Sequence, residues 1–233
     1  MTRNVTFKGN PLTLVGRPLK EGQRAPDFRV VDTNLKEVTL ADFAGKIKVI
    51  TFFPSIDTPV CDLQVKEFNK SALKLSAASG VVVLGISKDL PFAQKRFCAD
   101  NAIDAVRTLS DYQTSSFGLN YGVLIKELNL LARGALIVDV NDIIRYIQIV
   151  SEVTTPPDYQ DVLNHLKQVI ASPAQKVEAE ALPSHCQPCE GGIAALGKDK
   201  VEQLLARFRG WEVVENKKIV KEFKFSDYRE ATY

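Results

Sequence analysis

Cysteines at positions 61, 98, 186 and 189 are the residues best able to do chemistry in this 233-residue chain. Cys61 ends the run FFPSIDTPVC, which follows a β-branched and aromatic stretch, IKVITFF at 47–53, and precedes a helical pattern. Its sulfur is therefore expected in the first turn of a helix, at the carboxyl end of a buried strand. Unpaired peptide N–H groups and the positive end of the helix dipole favour a thiolate there, and the thiolate is the nucleophile. Thr58 lies three residues earlier, where its hydroxyl can accept from a peptide N–H and share a bond with the sulfur or a substrate oxygen. Pro54 and Pro59 stiffen the loop and shield the sulfur from water. By residue type alone a helical cysteine is more often a small buried apolar side chain, so the loop around Cys61 carries the argument.

Cys186 and Cys189 form a second pattern, HCQPC at 185–189. A CxxC pair suits a disulfide, half of a zinc site, or no chemistry at all. Zinc takes about four ligands, and His185 with the two cysteines supplies too few, so no metal is assigned. A functional disulfide and a pair without a role both stay open. The chemistry needs no haem, flavin or nucleotide, and Gly191-Gly192 is too short for a phosphate loop.

The elements that must hold Cys61 read as an α/β arrangement. Residues 4–7 and 12–15 are short β runs separated by Gly9-Asn10-Pro11, which predicts a hairpin. Residues 47–53 and 81–87 (VVVLGIS) read as strands buried on both faces. Between them Val65, Phe68, Ala72 and Leu75, three and four apart, predict a helix, giving a βαβ unit with a right-handed crossover. Residues 91–101 predict another helix, with Pro91 in its first turn and Asp89 as its cap. Residues 135–140 and 143–150 are β runs joined at Asn141-Asp142. Residues 158–170, after Pro156-Pro157, form an amphipathic closing helix with His165 on its surface. This order is that of a thioredoxin-like fold with an added N-terminal β-hairpin, over residues 1–170.

Residues 171–183 (ASPAQKVEAEALP) read as a linker, and 184–233 as a small, incomplete α+β segment. In that segment a helix is expected at 198–208, strands at 211–214 and 219–225 around Asn216-Lys217, and a last helix capped by Ser226.

Composition limits the partners. Apolar residues make up 45% and can fill a sizeable core, while charges nearly cancel at +2. From residue 171 onward ten basic residues face ten acidic ones, leaving 20 against 18 before it. Neither part has the one-signed field that attracts nucleic acid or anionic membrane. No apolar stretch nears the roughly 20 residues that span a bilayer, and the first residues lack the apolar core of a secretory signal. A reducing, cytoplasmic setting is expected.

The run FFPSIDTPVC resembles the peroxidatic loop of the peroxiredoxin superfamily, in which Pro, Thr or Ser, and Cys stand where Pro54, Thr58 and Cys61 stand here. With NPLTLVG, ISKDLPFAQKRFC and LLARGALIVDVND, residues 5–170 resemble the bacterial thiol peroxidase branch. The resemblance implies that Cys61 attacks a hydroperoxide, that Arg133 activates it, and that Cys98 resolves the sulfenic acid as an intrachain disulfide. It implies further a thioredoxin-type reductant and a homodimer. Residues 186–231 resemble the front half of pterin-4a-carbinolamine dehydratases. That family's activity depends on a histidine cluster further along, including an adjacent pair before a proline, which this sequence does not contain; a truncated, inactive fusion is expected. Two other classes remain: a thiol–disulfide oxidoreductase using Cys186 and Cys189, and a non-catalytic interaction protein. Thr58, where thioredoxins carry their first active cysteine, argues against the former for residues 1–170.

Overall fold

The chain opens as a hairpin of β1 (Arg3–Phe7) and β2 (Asn10–Val15), with Phe7 opposite Asn10. The computed structural model describes residues 3–75, 80–171, 212–214 and 218–220. The hairpin turn is Lys8-Gly9, with φ of 50° and 79°, and not Gly9-Asn10-Pro11. A two-residue turn of this hand needs positive φ at both central residues, which proline cannot adopt. Pro11 therefore sits in the strand.

Next come β3 (Arg29–Asp32), β4 (Glu37–Thr39), a 3-10 turn (Leu40–Phe43) and β5 (Ile47–Phe52). They are followed by α1 (Pro59–Leu75), β6 (Val81–Ser87), α2 (Pro91–Asp100) and β7 (Val106–Ser110). The unit continues with α3 (Ser116–Asn120), β8 (Leu124–Ile125), β9 (Leu130–Leu131), β10 (Gly134–Val138), β11 (Ile144–Ile149) and α4 (Tyr159–Ala171). A seven-stranded mixed sheet runs β11-β10-β5-β6-β7-β3-β4, and a second sheet runs β1-β2-β8-β9. Strands β5, β6 and β7 are parallel, while β10 lies antiparallel to β5.

Every residue of β5 is buried, and alternation divides them between two cores. Ile47, Val49 and Phe53 join Cys61, Val65, Phe68, Val162 and Leu166 on the helical face. Ile50 and Phe52 join Phe28, Phe117 and Tyr121 in the other core. There Phe117 stacks on Tyr121 at 4.4 Å and meets Phe28 edge-on at 5.9 Å. Lys48 is fully buried in β5 and is satisfied by Asp142 Oδ1 at 2.6 Å. Breaking such a buried pair costs about 3–5 kcal/mol, so the β10–β11 turn is tied to the central strand.

That turn is longer than Asn141-Asp142. Residues 139–143 connect the strands, and the Asp139 carboxylate accepts from the peptide N–H groups of Asn141 (2.8 Å) and Ile143 (3.0 Å). The start of α2 also differs in its cap. Pro91 is the first helical residue as expected, but Leu90 occupies the cap without a side-chain bond. The Asp89 carboxylate is engaged elsewhere.

Contacts divide the chain into two units, Met1–Ala179 and Glu180–Tyr233. In the second, β12 (Glu212–Val214) and β13 (Lys218–Val220) pair antiparallel, Val213 facing Ile219. β12 lies within the strand expected at 211–214, and β13 begins one residue before the one expected at 219–225. Ala171, expected to open the linker, ends α4; residues 172–183, the helices expected at 198–208 and after Ser226, and His185, Cys186 and Cys189 lie outside the described residues. Among the described residues no helix is long and apolar enough to cross a membrane.

Candidate active site

Cys61 lies in the first turn of α1, fully buried. Its peptide N–H is not free for the sulfur: it donates to the Thr58 carbonyl (3.1 Å), as does that of Asp62 (3.0 Å). Side chains hold the sulfur instead. The Thr58 hydroxyl donates to Sγ at 2.9 Å, and Arg133 Nη2 donates to it at 3.1 Å. The Ser55 carbonyl, 3.3 Å from Thr58 Oγ1, is the alternative acceptor for that hydroxyl's single proton.

Arg133 lies between β9 and β10 and is only 2% exposed. Its Nε donates to the Val153 carbonyl (2.7 Å) and its Nη1 to Gln64 Oε1 (2.6 Å). Among the described residues no carboxylate pairs with it. A guanidinium keeps its charge even when buried, so a fixed positive charge faces the Cys61 sulfur. Gln64, one helical turn beyond Cys61, donates through Nε2 to Thr51 Oγ1 (2.6 Å), which orients its oxygen towards the arginine.

The other support of Arg133 comes from the first hairpin. Val153 N–H donates to the Thr6 carbonyl at 2.8 Å. Beside it, Glu152 accepts from Thr6 Oγ1 (2.8 Å), Lys8 N–H (3.0 Å) and Gly9 N–H (3.1 Å). Hydrogen bonds, first from the Thr154 hydroxyl and then from Gly9, hold the Glu152 carboxyl well below the usual carboxylate range. Gly134 lets the strands close around the site: a Cβ there would stand 2.1 Å from the Gln148 carbonyl oxygen and 2.6 Å from Phe52 Cζ.

Pro54 is buried just beyond β5, at the start of the Cys61 loop. Cys98 stands apart from this group. It lies on α2, half-buried at the margin of the core that contains Cys61, with Sγ 3.4 Å from Thr108 Oγ1. Both thiols are free. Burial pushes the Cys98 thiol up, and the Thr108 bond offsets only part of this. The structure thus brings Cys61, Thr58 and Arg133 together, and leaves Cys98 on a neighbouring helix.

A Redoxin family model matches residues 20–163. A thiol peroxidase of Oceanobacillus iheyensis is 52% identical over 163 residues, which cover 70% of this chain and 98% of that protein. The chain belongs to the thiol peroxidase family of peroxiredoxins. A Bacillus subtilis thiol peroxidase is 49% identical, over 71% of this chain and 98% of its own. A crystal structure of a peroxiredoxin-like protein from Aquifex aeolicus, 42% identical, superposes with a TM-score of 0.67 over 72% of this chain and 98% of that one. Thiol peroxidase from Chromobacterium violaceum shares the fold at 20% identity, with a TM-score of 0.63 over 71% of this chain and 95% of that one. The thioredoxin-like architecture and the peroxiredoxin-type enzyme class are therefore those of this chain. The dehydratase resemblance of residues 186–231 gains no support from these matches.

Two residues that support the surroundings of Cys61 were not anticipated. Gln64 left a trace in the sequence, as a polar residue between Cys61, Val65 and Phe68 on an otherwise apolar helix face. Asp89 was singled out only as a helix cap. His165, read as a surface residue, is partly covered: its ring lies 4.4 Å from that of Tyr146, and its Nδ1 is 3.3 Å from Asp161 Oδ1.

Proposed function

We propose that Cys61 reduces hydrogen peroxide and organic hydroperoxides, with Cys98 as the resolving thiol and a thioredoxin-type dithiol as the reductant. The observation that carries this reading is the buried Cys61 sulfur, bonded at once by the Thr58 hydroxyl and by a guanidinium without a carboxylate partner among the described residues. The thiolate attacks the terminal peroxide oxygen, the O–O bond breaks, and the leaving alkoxide or hydroxide takes a proton, giving a Cys61 sulfenic acid. Arg133 and Thr58 face the reacting atoms and stabilise charge developing on the leaving oxygen. Buried Pro54 fixes the loop end. A cleft of about 380 Å³, lined by Ile56, Asp57, Thr58, Asp62, Phe97 and Asn101, supplies the approach.

Cys98 then attacks the sulfenic sulfur, water leaves, and an intrachain Cys61–Cys98 disulfide forms. Disulfide exchange with the dithiol restores both thiols. A disulfide needs Cα atoms within about 7 Å, and Cys98 is held against Thr108, so a helix end must loosen for this step. The reading includes a reducing cytoplasmic setting and a homodimer. For residues 184–233 the β12–β13 pair alone suits a dehydratase-like α+β segment, and no activity is assigned to it.

The test is peptide mass spectrometry of fully reduced protein after one equivalent of hydroperoxide. A Cys61–Cys98 link is expected. A link from Cys61 to Cys186 or Cys189 transfers resolution to the second unit, and an unmodified Cys61 refutes the peroxidase assignment.

A further inference from the structure

Asp89 lies two residues before the helix that carries Cys98, yet its carboxylate holds the loop that carries Cys61. Its Oδ1 accepts from Ser55 Oγ (2.7 Å), and its Oδ2 from the Ile56 N–H (2.9 Å) and from Ser87 Oγ (2.6 Å). The backbone of Asp89 is itself fixed to the sheet. Its carbonyl accepts from Ser110 Oγ, at the end of β7, and its N–H donates to Ser87 Oγ (3.3 Å), at the end of β6.

From Ser55 the bonding continues to the sulfur. The Ser55 carbonyl accepts from the Thr58 N–H (3.3 Å) and lies 3.3 Å from Thr58 Oγ1, while Ser55 Oγ accepts from the Asp57 N–H (3.2 Å). Thr58 in turn donates to Cys61 Sγ. A carboxylate anchored to two strand ends thus sets Ser55, Ser55 sets Thr58, and Thr58 touches the sulfur. The same carboxylate binds the loop to the chain segment leading into α2.

We propose that Asp89 is a positioning residue that holds the Cys61 loop closed for attack on peroxide, and that its bonds to Ser55 and Ile56 break before Cys98 reaches Cys61. This rests on the Cys61 and Cys98 roles given above. Asp89 then favours the first chemical step and opposes the second. A closed loop keeps Thr58 on the sulfur, and an open loop frees the sulfur to meet another helix. Loss of a charge-assisted hydrogen bond shifts such an equilibrium by about tenfold or more. A residue that merely stabilised the fold would not move the two steps in opposite directions.

The experiment is rapid acid quench of the full-length reduced protein after mixing with hydrogen peroxide, with sulfenic acid and disulfide separated by mass. Wild type, Asp89→Ala, Asp89→Asn and Ser55→Ala are compared. Asp89→Ala should oxidise about tenfold more slowly and form the disulfide about tenfold faster once oxidised. Ser55→Ala removes one bond at the loop surface and should shift both constants in the same senses by about threefold. It keeps the test valid if Asp89→Ala does not fold. Asp89→Asn, which keeps an acceptor for Ile56, should return towards wild type. Both constants moving together, or both staying within about twofold of wild type, overturns the role of Asp89 alone. A wild-type protein that forms no Cys61–Cys98 disulfide overturns the underlying reading, and this inference with it.

Discussion

Cys61 and Cys98 border the same apolar core but occupy opposite kinds of surroundings. The Cys61 sulfur is sealed from solvent and faces a hydroxyl and a guanidinium. Cys98 is half-buried, has a threonine hydroxyl for a neighbour, and borders a cleft of about 350 Å³ that Lys95 and Arg107 also line. Burial acts on both, and the fixed charge acts on one. Burial pushes the Cys98 thiol up, whereas the Cys61 sulfur is buried beside a guanidinium that pairs with no carboxylate among the described residues. On the proposed roles, the nucleophile and the resolving thiol differ in what is buried with them.

The largest break in this comparison should come from removing the charge. Arg133→Ala is expected to lower the second-order rate of Cys61 oxidation by about 10²–10³, the usual cost of losing a donor aimed at developing charge. Stopped-flow oxidation of reduced protein measures it, and Arg133→Lys should recover only a small part because the forked donor is lost.

The second contrast is in pH. Since burial raises the Cys98 thiol above its ordinary value of 9.0, its thiolate fraction keeps growing as the pH rises from 7 to 9. Disulfide formation after oxidation should rise with it across that range. A flat profile would show that opening of the helices, rather than deprotonation, limits the step.

Thr58→Val removes the smaller of the two sulfur partners and should slow oxidation by about tenfold while leaving Cys98 untouched. Pre-steady-state oxidation, with the melting temperature as a control, separates this from a folding defect. The smallest effect is expected at Gly134, where Gly134→Ala meets Phe52 and the Gln148 carbonyl. A stability loss of about 1–3 kcal/mol in urea titration, with a partial fall in oxidation rate as Arg133 shifts, is the anticipated result.

Legibility in the sequence followed the range of the interaction. The β5–α1–β6 unit could be read because apolar periodicity is a local signal, and the Cys61 loop because proline, threonine and cysteine have fixed spacing. Strands β3, β4 and β7 could not be read: they are short, and VRTLS in β7 places an exposed arginine inside the run. The two-residue turn expected at 141–142 gave way to one built around the Asp139 carboxylate, a side-chain effect that periodicity does not report. Arg133 was found through resemblance alone, since its partners Gln64 and Cys61 stand 69 and 72 residues away. Asp89 fits a local capping rule, and a bond to Ile56, 33 residues earlier, overrides it.

The described partners of Arg133 also set when the proposed site can exist. Cys61 and Gln64 leave the ribosome well before Arg133, and Val153, which holds Nε, follows 20 residues later. Domains acquire long-range contacts only after the segments involved have been synthesised, and such contacts form late. On the proposed roles, the thiol of a nascent chain stands without its guanidinium, and peroxide chemistry waits until synthesis has passed the segment that anchors the arginine.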